Sequence, residues 1–257
     1  MKRLGLNSIR FPVGHWYFTE LSGFPSHPYT IPEQSILAHD HPITNVIRYA
    51  QNAGLYIILD LHTAPGSQNG FDNSGHATND PQPDNWGQGW IYNPTNVQGT
   101  VATNAAMATY LNHIEDKFGL NNIIMMEILN EPWEDIDLSL IKGYYMSAIQ
   151  AVRDIRPGLP ILMHDSFRGE DWGTLLKDWK YEDVYLDTHS YQCFNLWDLA
   201  SDRYVHVFTS SSLTTLTSSL SLTSSLSLSL SLSSLSSLLS LSSLSSLLLS
   251  LLISFTS

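Results

Sequence analysis

A carboxylate stands where an apolar run stops. Residues 123–134 read IIMMEILNEPWE, and Asn130-Glu131-Pro132 closes the run. Pro132 cannot continue a strand, so Glu131 is offered at a strand end, where a pocket can use it. Strand alternation would put Glu127, Leu129 and Glu131 on one face, with Glu131 uppermost and Glu127 deeper. A buried carboxyl with few cations near it keeps its proton longer, as a general acid must. The same residue could instead cap the following segment, with Pro132 in its first turn. The local pattern does not choose between the two.

Other polar groups stand at comparable places. Arg10 lies in the apolar stretch IRFPV. A buried arginine must pair, and a carboxylate on a neighbouring strand is its natural partner. The pair would either hold a catalytic carboxylate charged or be a structural ion pair. His62 ends LYIILDLH and begins HTAPGSQNGFDNSG, a loop of neutral hydrogen-bonding groups with one aromatic, Phe71. Such a loop suits a hydroxyl-rich ligand with apolar faces. His62, His164 and His189 all end apolar runs, but no HxH or HExxH spacing occurs, so no metal is expected. His189 and Tyr191 would alternate to one face in DTHSYQCF. Trp16, Tyr17, Trp86, Trp90, Trp133, Phe194 and Trp197 are expected in loops, where rings can stack on sugar faces.

These residues need a scaffold. The apolar runs at 6–13, 55–62, 122–129, 159–165 and 183–191 read as strands. Helical patterns separate them. One carries Ile43, Val46, Ile47 and Ala50 on a face and stops at Gly54; others stop at Gly119 and near Pro157, with a short one over 171–179. Alternating β and α with continuously apolar strands predicts a parallel α/β sheet. No Gly-rich phosphate loop follows the first strand, which argues against a dinucleotide fold and its cofactor. Polar groups at successive strand ends are the pattern of a (β/α)₈ TIM barrel. About five βα units are visible, so the barrel is expected to be incomplete by about three.

Composition narrows the partners. The net charge of -12 argues against nucleic acid and fits a neutral ligand. The single cysteine, Cys193, rules out an internal disulfide framework. No signal peptide is visible at the N-terminus. Residues 1–208 form the folded part by composition. From Thr209 to Ser257 the alphabet collapses to Ser, Leu and Thr, with Ile253 and Phe255 near the end. Serines break every apolar run there, so no membrane span is expected. A TC dinucleotide repeat read in triplets gives Ser-Leu-Ser-Leu, and the tail is read as such a tract rather than as a packed core.

Together, GLNSIRFPVGHW, ILDLHTAPGSQNGFDNSG, ILNEPW, ILMHDSF and LDTHSYQCF resemble the fungal exo-β-1,3-glucanases of glycoside hydrolase family five, in order over about residues 1–200. The resemblance implies a TIM barrel that releases glucose from β-1,3-glucan by a retaining mechanism, without a cofactor, as a monomer in the wall or outside the cell. It implies Glu131 as acid/base and Asn130 as a contact to the sugar at the scissile bond. Arg10, His62, His189 and Tyr191 would line the same subsite, and Phe71 and Phe194 would flank the acceptor. The family's nucleophile is a Glu in a Gly-Glu-Trp setting. The only Gly-Glu here is Gly169-Glu170, far too early, and no Glu follows Tyr191. The first strand also has no counterpart before Met1. The expectation is therefore half a catalytic pair on a truncated chain of doubtful activity. A glucan-binding protein without turnover and a related β-glycosidase of different linkage preference are the alternatives.

Overall fold

The computed structural model describes residues 4–24, 34–77, 88–175 and 181–191. They build a five-stranded, all-parallel sheet in the order β1-β2-β3-β4-β5. The strands are β1 (Ser8–Val13), β2 (Tyr56–Leu61), β3 (Ile123–Glu127), β4 (Ile161–His164) and β5 (Val184–Asp187). Spatial order follows chain order without reversal. That is the progression of a barrel wall; a doubly wound sheet turns back at a switch point.

Helices fill the crossovers: α1 (Thr19–Ser22) and α2 (Pro42–Asn52) before β2, α3 (Gln88–Ile91) and α4 (Pro94–Phe118) before β3, α5 (Leu138–Ile155) before β4, and α6 (Gly169–Leu175) before β5. Their starts are written locally. His41, Asn93 and Asp137 each accept the backbone N–H two residues on, at 3.2, 3.0 and 2.8 Å, and proline follows the cap in α2 and α4. Gly119, at φ +65°, ends α4 as the sequence predicts. In α2 the buried face is Ile43, Thr44, Ile47 and Ala50; Val46, expected on that face, is exposed.

Each strand has two unlike faces. Ile9, Phe11, Val13, Ile57, Leu59, Leu61, Met126, Ile161 and Met163 join the apolar core. The alternate residues Arg10, Asp60 and Glu127 meet one another on the other face. Helix side chains then hold the strand ends in place. Past Glu127 the carbonyl of Ile128 accepts both Tyr144 Oη of α5 (2.7 Å) and Asn104 Nδ2 of α4 (3.1 Å). Tyr145 Oη of α5 donates to His164 O at 2.7 Å, and Trp172 Nε1 of α6 to Asp165 O at 2.7 Å. Carbonyls that leave the ladder inside a core must find donors, and these aromatics supply them.

The chain divides into two units, 1–189 and 190–257. Of the second, only Ser190 and Tyr191 are described; the Ser/Leu tract lies outside the described residues. No described helix is long and apolar enough to cross a membrane.

Candidate active site

The C-terminal strand ends converge on a buried network of charge. Arg10 Nε donates to Glu127 Oε2 at 2.6 Å, its Nη1 lies 3.1 Å from Asp60 Oδ2, and its Nη2 donates to Asn130 Oδ1 at 2.7 Å. Asp60 Oδ2 also meets His62 Nδ1 at 2.6 Å. Both carboxyl side chains are fully buried. Burial and the charge of Asp60 push Glu127 up to about 7, against the opposing pull of Arg10. For Arg10 burial acts to lower the pKa, but Glu127 and Asp60 outweigh it and raise it. The guanidinium also sets the Asn130 amide: with Oδ1 held by Arg10, Nδ2 is turned away, buried and without a partner among the described residues.

Glu131 lies beside this network and is almost fully buried. Its Oε1 meets His189 Nδ1 at 2.6 Å, and its Oε2 accepts from Asn73 Nδ2 at 2.9 Å. Its backbone has φ +45°, a left-handed conformation that L side chains seldom adopt. Strain of this kind, of order 1–3 kcal/mol, collects at functional sites. It also explains why simple alternation fails. β3 ends at Glu127, Leu129 belongs to the apolar core, and Glu131 reaches the polar face through a turned backbone.

His189 bridges two carboxylates, with Nε2 at 3.2 Å from Asp187 Oδ2. Burial would lower its pKa, but the two carboxylates raise it to about 10. In its protonated form the ring donates to both carboxylates at once. His164, whose ring stacks edge-on against His189 at 4.4 Å, is its opposite. Burial and the neighbouring positive charge push it down to about 3. It is therefore neutral, and its Nδ1 accepts Ser166 N–H at 2.9 Å. Its 3.8 Å approach to Asp165 is no ion pair.

The loop after β2 carries the rest. Gln68 stitches it to the Glu131 segment: Nε2 donates to the carbonyls of His62 (2.9 Å) and Asn130 (3.0 Å), and Oε1 accepts Ala64 N–H at 3.0 Å. Phe71 packs edge-on against Trp133 at 4.8 Å, and Trp133 against Phe167 at 5.9 Å. Gly66 anchors the loop at φ +82°, where a Cβ would collide with Gly89 O. Gly66→Ala adds that clash to a left-handed backbone. It is expected to cost on the order of 1–3 kcal/mol, read as a lower midpoint in urea unfolding.

Of the residues singled out in the sequence, Arg10 bonds Asn130 and reaches His62 through Asp60, while Glu131 bonds His189 in a second network that adjoins the first where Glu131 follows Asn130 in the chain. Phe71 stands on the loop that holds Glu131. Tyr191 is 49% exposed and belongs to the second unit. Phe194, Trp86 and Trp197 lie outside the described residues. Two further expectations fail. β5 ends at Asp187, so His189 and Tyr191 do not alternate on a strand. Trp90 is not a cleft aromatic; it is fully buried, packed edge-on against Tyr144 at 4.9 Å, because α3 turns it into the core. The sequence reading missed Asn73 and Asp187. Asp187 had a signal: Asp60-Leu61-His62 and Asp187-Thr188-His189 repeat one Asp-x-His pattern at two strand ends.

The profile described as cellulase (glycosyl hydrolase family 5) matches residues 1–214. The chain is 33% identical over 218 residues to a probable glucan 1,3-beta-glucosidase A of Aspergillus niger, covering 84% of this chain and 46% of that protein. It is 34% identical over 213 residues to a glucan 1,3-beta-glucosidase of Blumeria graminis, covering 81% of this chain and 44% of that protein. It thus spans less than half the length of these relatives. Among solved structures it resembles the rutinosidase from Aspergillus niger, with a TM-score of 0.55 at 15% identity over 75% of this chain and 52% of that one. At that identity the likeness speaks for the fold alone.

Proposed function

Because the chain belongs to glycosyl hydrolase family 5, we propose that it acts on β-1,3-glucan as a retaining glycosidase, releasing glucose from chain ends, with Glu131 as acid/base. One observation carries this reading. Glu131 is gripped on both oxygens, and beside it the Asn130 amide turns an unpartnered, buried Nδ2 donor away from Arg10. A buried donor without a partner is costly unless a ligand completes it, and a sugar hydroxyl does so. Phe71 and Trp133 offer aromatic surface on the same loops. The names of the relatives point to the β-1,3 linkage, and their kind to polysaccharide breakdown at the wall or outside the cell.

Retaining hydrolysis needs a second carboxyl about 5–5.5 Å from the first. The chain has no Gly-Glu-Trp, and Gly169-Glu170 opens α6 instead of ending a strand. We therefore place the nucleophile outside this sequence. The chain by itself is then expected to bind glucan and turn it over poorly. Titration calorimetry with laminari-oligosaccharides and glucose release from laminarin test both halves. Binding at millimolar or better with a rate far below the roughly 10 s⁻¹ of a median enzyme supports the reading. No binding sinks it. Turnover near the median rate would show that a carboxylate of this chain serves as nucleophile. Binding with no turnover at all favours the non-catalytic glucan-binding alternative.

A further inference from the structure

His189 is held at both ring nitrogens, and only one of its partners belongs to the acid/base assignment. Asp187 is the last residue of β5, with its backbone paired to His164 in β4. Its carboxylate takes Nε2 of His189 at 3.2 Å while Nδ1 faces Glu131 Oε1 at 2.6 Å. The strand therefore fixes the carboxylate, the carboxylate fixes the ring, and the ring aims a proton at Glu131.

We infer that Asp187 is a positioning residue that keeps the proton on Nε2 of His189, so that Nδ1 is the atom through which Glu131 gains and loses its acid proton. The inference rests on the reading of Glu131 as the acid. In the step, the Nδ1–H bond of the imidazolium breaks and the Oε1–H bond of Glu131 forms. A histidine cation and a carboxylate become a neutral imidazole and a carboxylic acid, and Nε2–H stays on Asp187 throughout. Charge and protons balance without any further reactant.

The surroundings favour this arrangement. Glu131 and Glu127 approach from β3 and its extension, Arg10 from β1, His164 and Asp165 from β4 and the residue after it, and Asp187 from β5. His164 is neutral and adds no competing positive charge. Burial would raise Asp187, but the hydrogen bond and charge of His189, with Arg10, hold it below the usual carboxylate range. Asp187 thus remains the anion when Glu131 takes the proton.

Long-range proton–nitrogen spectra of the labelled full chain, recorded from about pH 5 to about pH 11, read both ring nitrogens directly, with His189 assigned by loss of its signals in His189→Gln. In the parent chain His189 is expected to stay doubly protonated well above 6.5, the ordinary value for histidine. Asp187→Asn keeps an acceptor but removes the charge, and should lower the midpoint by about 1–3 pH units. In Glu131→Gln the neutral ring is expected to carry its proton on Nε2. A parent midpoint near 6.5, an unchanged midpoint in Asp187→Asn, or a proton on Nδ1 in Glu131→Gln would each overturn the inference. Should Asp187→Asn fail to fold, the tautomer in Glu131→Gln decides alone. None of these readouts needs turnover, so failure of the glucanase reading and failure of this one are told apart.

Discussion

Glu131→Gln is expected to lower whatever hydrolysis of an unactivated β-1,3-linked oligosaccharide the parent chain supports, by up to the about 10²–10⁴-fold that a general acid contributes. Glutamine keeps the shape and the left-handed backbone at φ +45°, so the fold should survive. It cannot give a proton to the departing oxygen. A dinitrophenyl glucoside, whose leaving group needs no proton, should therefore lose far less in its bond-breaking step. That contrast is the signature of a general acid. Equal losses on both substrates would assign Glu131 to binding or to structure instead. The change also removes one of the two anions that hold His189 charged. The imidazole should then titrate lower, whatever the chain's rate.

The strand-end position of Glu131 was legible because Pro132 marks it and the run before it is apolar. The five parallel strands and the stops at Gly54 and Gly119 were legible for the same kind of reason: each is a local pattern with a local cause. What the sequence left unread depends on geometry that no period encodes. Alternation carried Glu131 to the polar face by counting, whereas the chain leaves β3 at Glu127 and brings the side chain round through a strained backbone. Trp90 looked like a loop aromatic because its neighbours are Gly and Gln; its indole N–H donates to Thr100 Oγ1 at 3.0 Å inside the core. Asn73 sits among several asparagines and serines, and only the loop's fold selects it for Glu131. The repeated Asp-x-His, in contrast, shows how a charged residue two places before a strand-end histidine can be found without coordinates. In both copies the aspartate lies at or next to the strand's last residue and the histidine past its end, where the ring meets the carboxylate at 2.6 Å (His62–Asp60) and 3.2 Å (His189–Asp187).

The interior charge network makes Arg10 the residue whose loss should cost most stability. Arg10→Met preserves length and apolar bulk but leaves Asp60 and Glu127 fully buried without their cation, and Asn130 without the donor that orients it. Breaking a buried pair on one side is expected to cost on the order of 3 kcal/mol. The loss should depend on pH in a defined direction. Glu127 is raised in the folded chain to about 7 from the ordinary 4.5. Between those values the folded state holds a proton that the unfolded state has released, so rising pH destabilises the fold across that window. His189, raised from 6.5 to about 10, acts in the same sense: its contribution is complete below 6.5 and fades as pH climbs through about 10. Removing Arg10 takes away the attraction that opposes burial of the Glu127 carboxylate, so Glu127 should hold its proton to higher pH still. In urea unfolding the penalty of Arg10→Met should therefore be smallest near pH 5, where Glu127 is protonated in both and only the contacts to Asp60 and Asn130 are lost, and largest above pH 7, where the parent alone pairs the ionised Glu127. A penalty independent of pH would mean that Arg10 stabilises through the packing of its stem and its bond to Asn130, and that the carboxylates beneath it are neutralised by other groups.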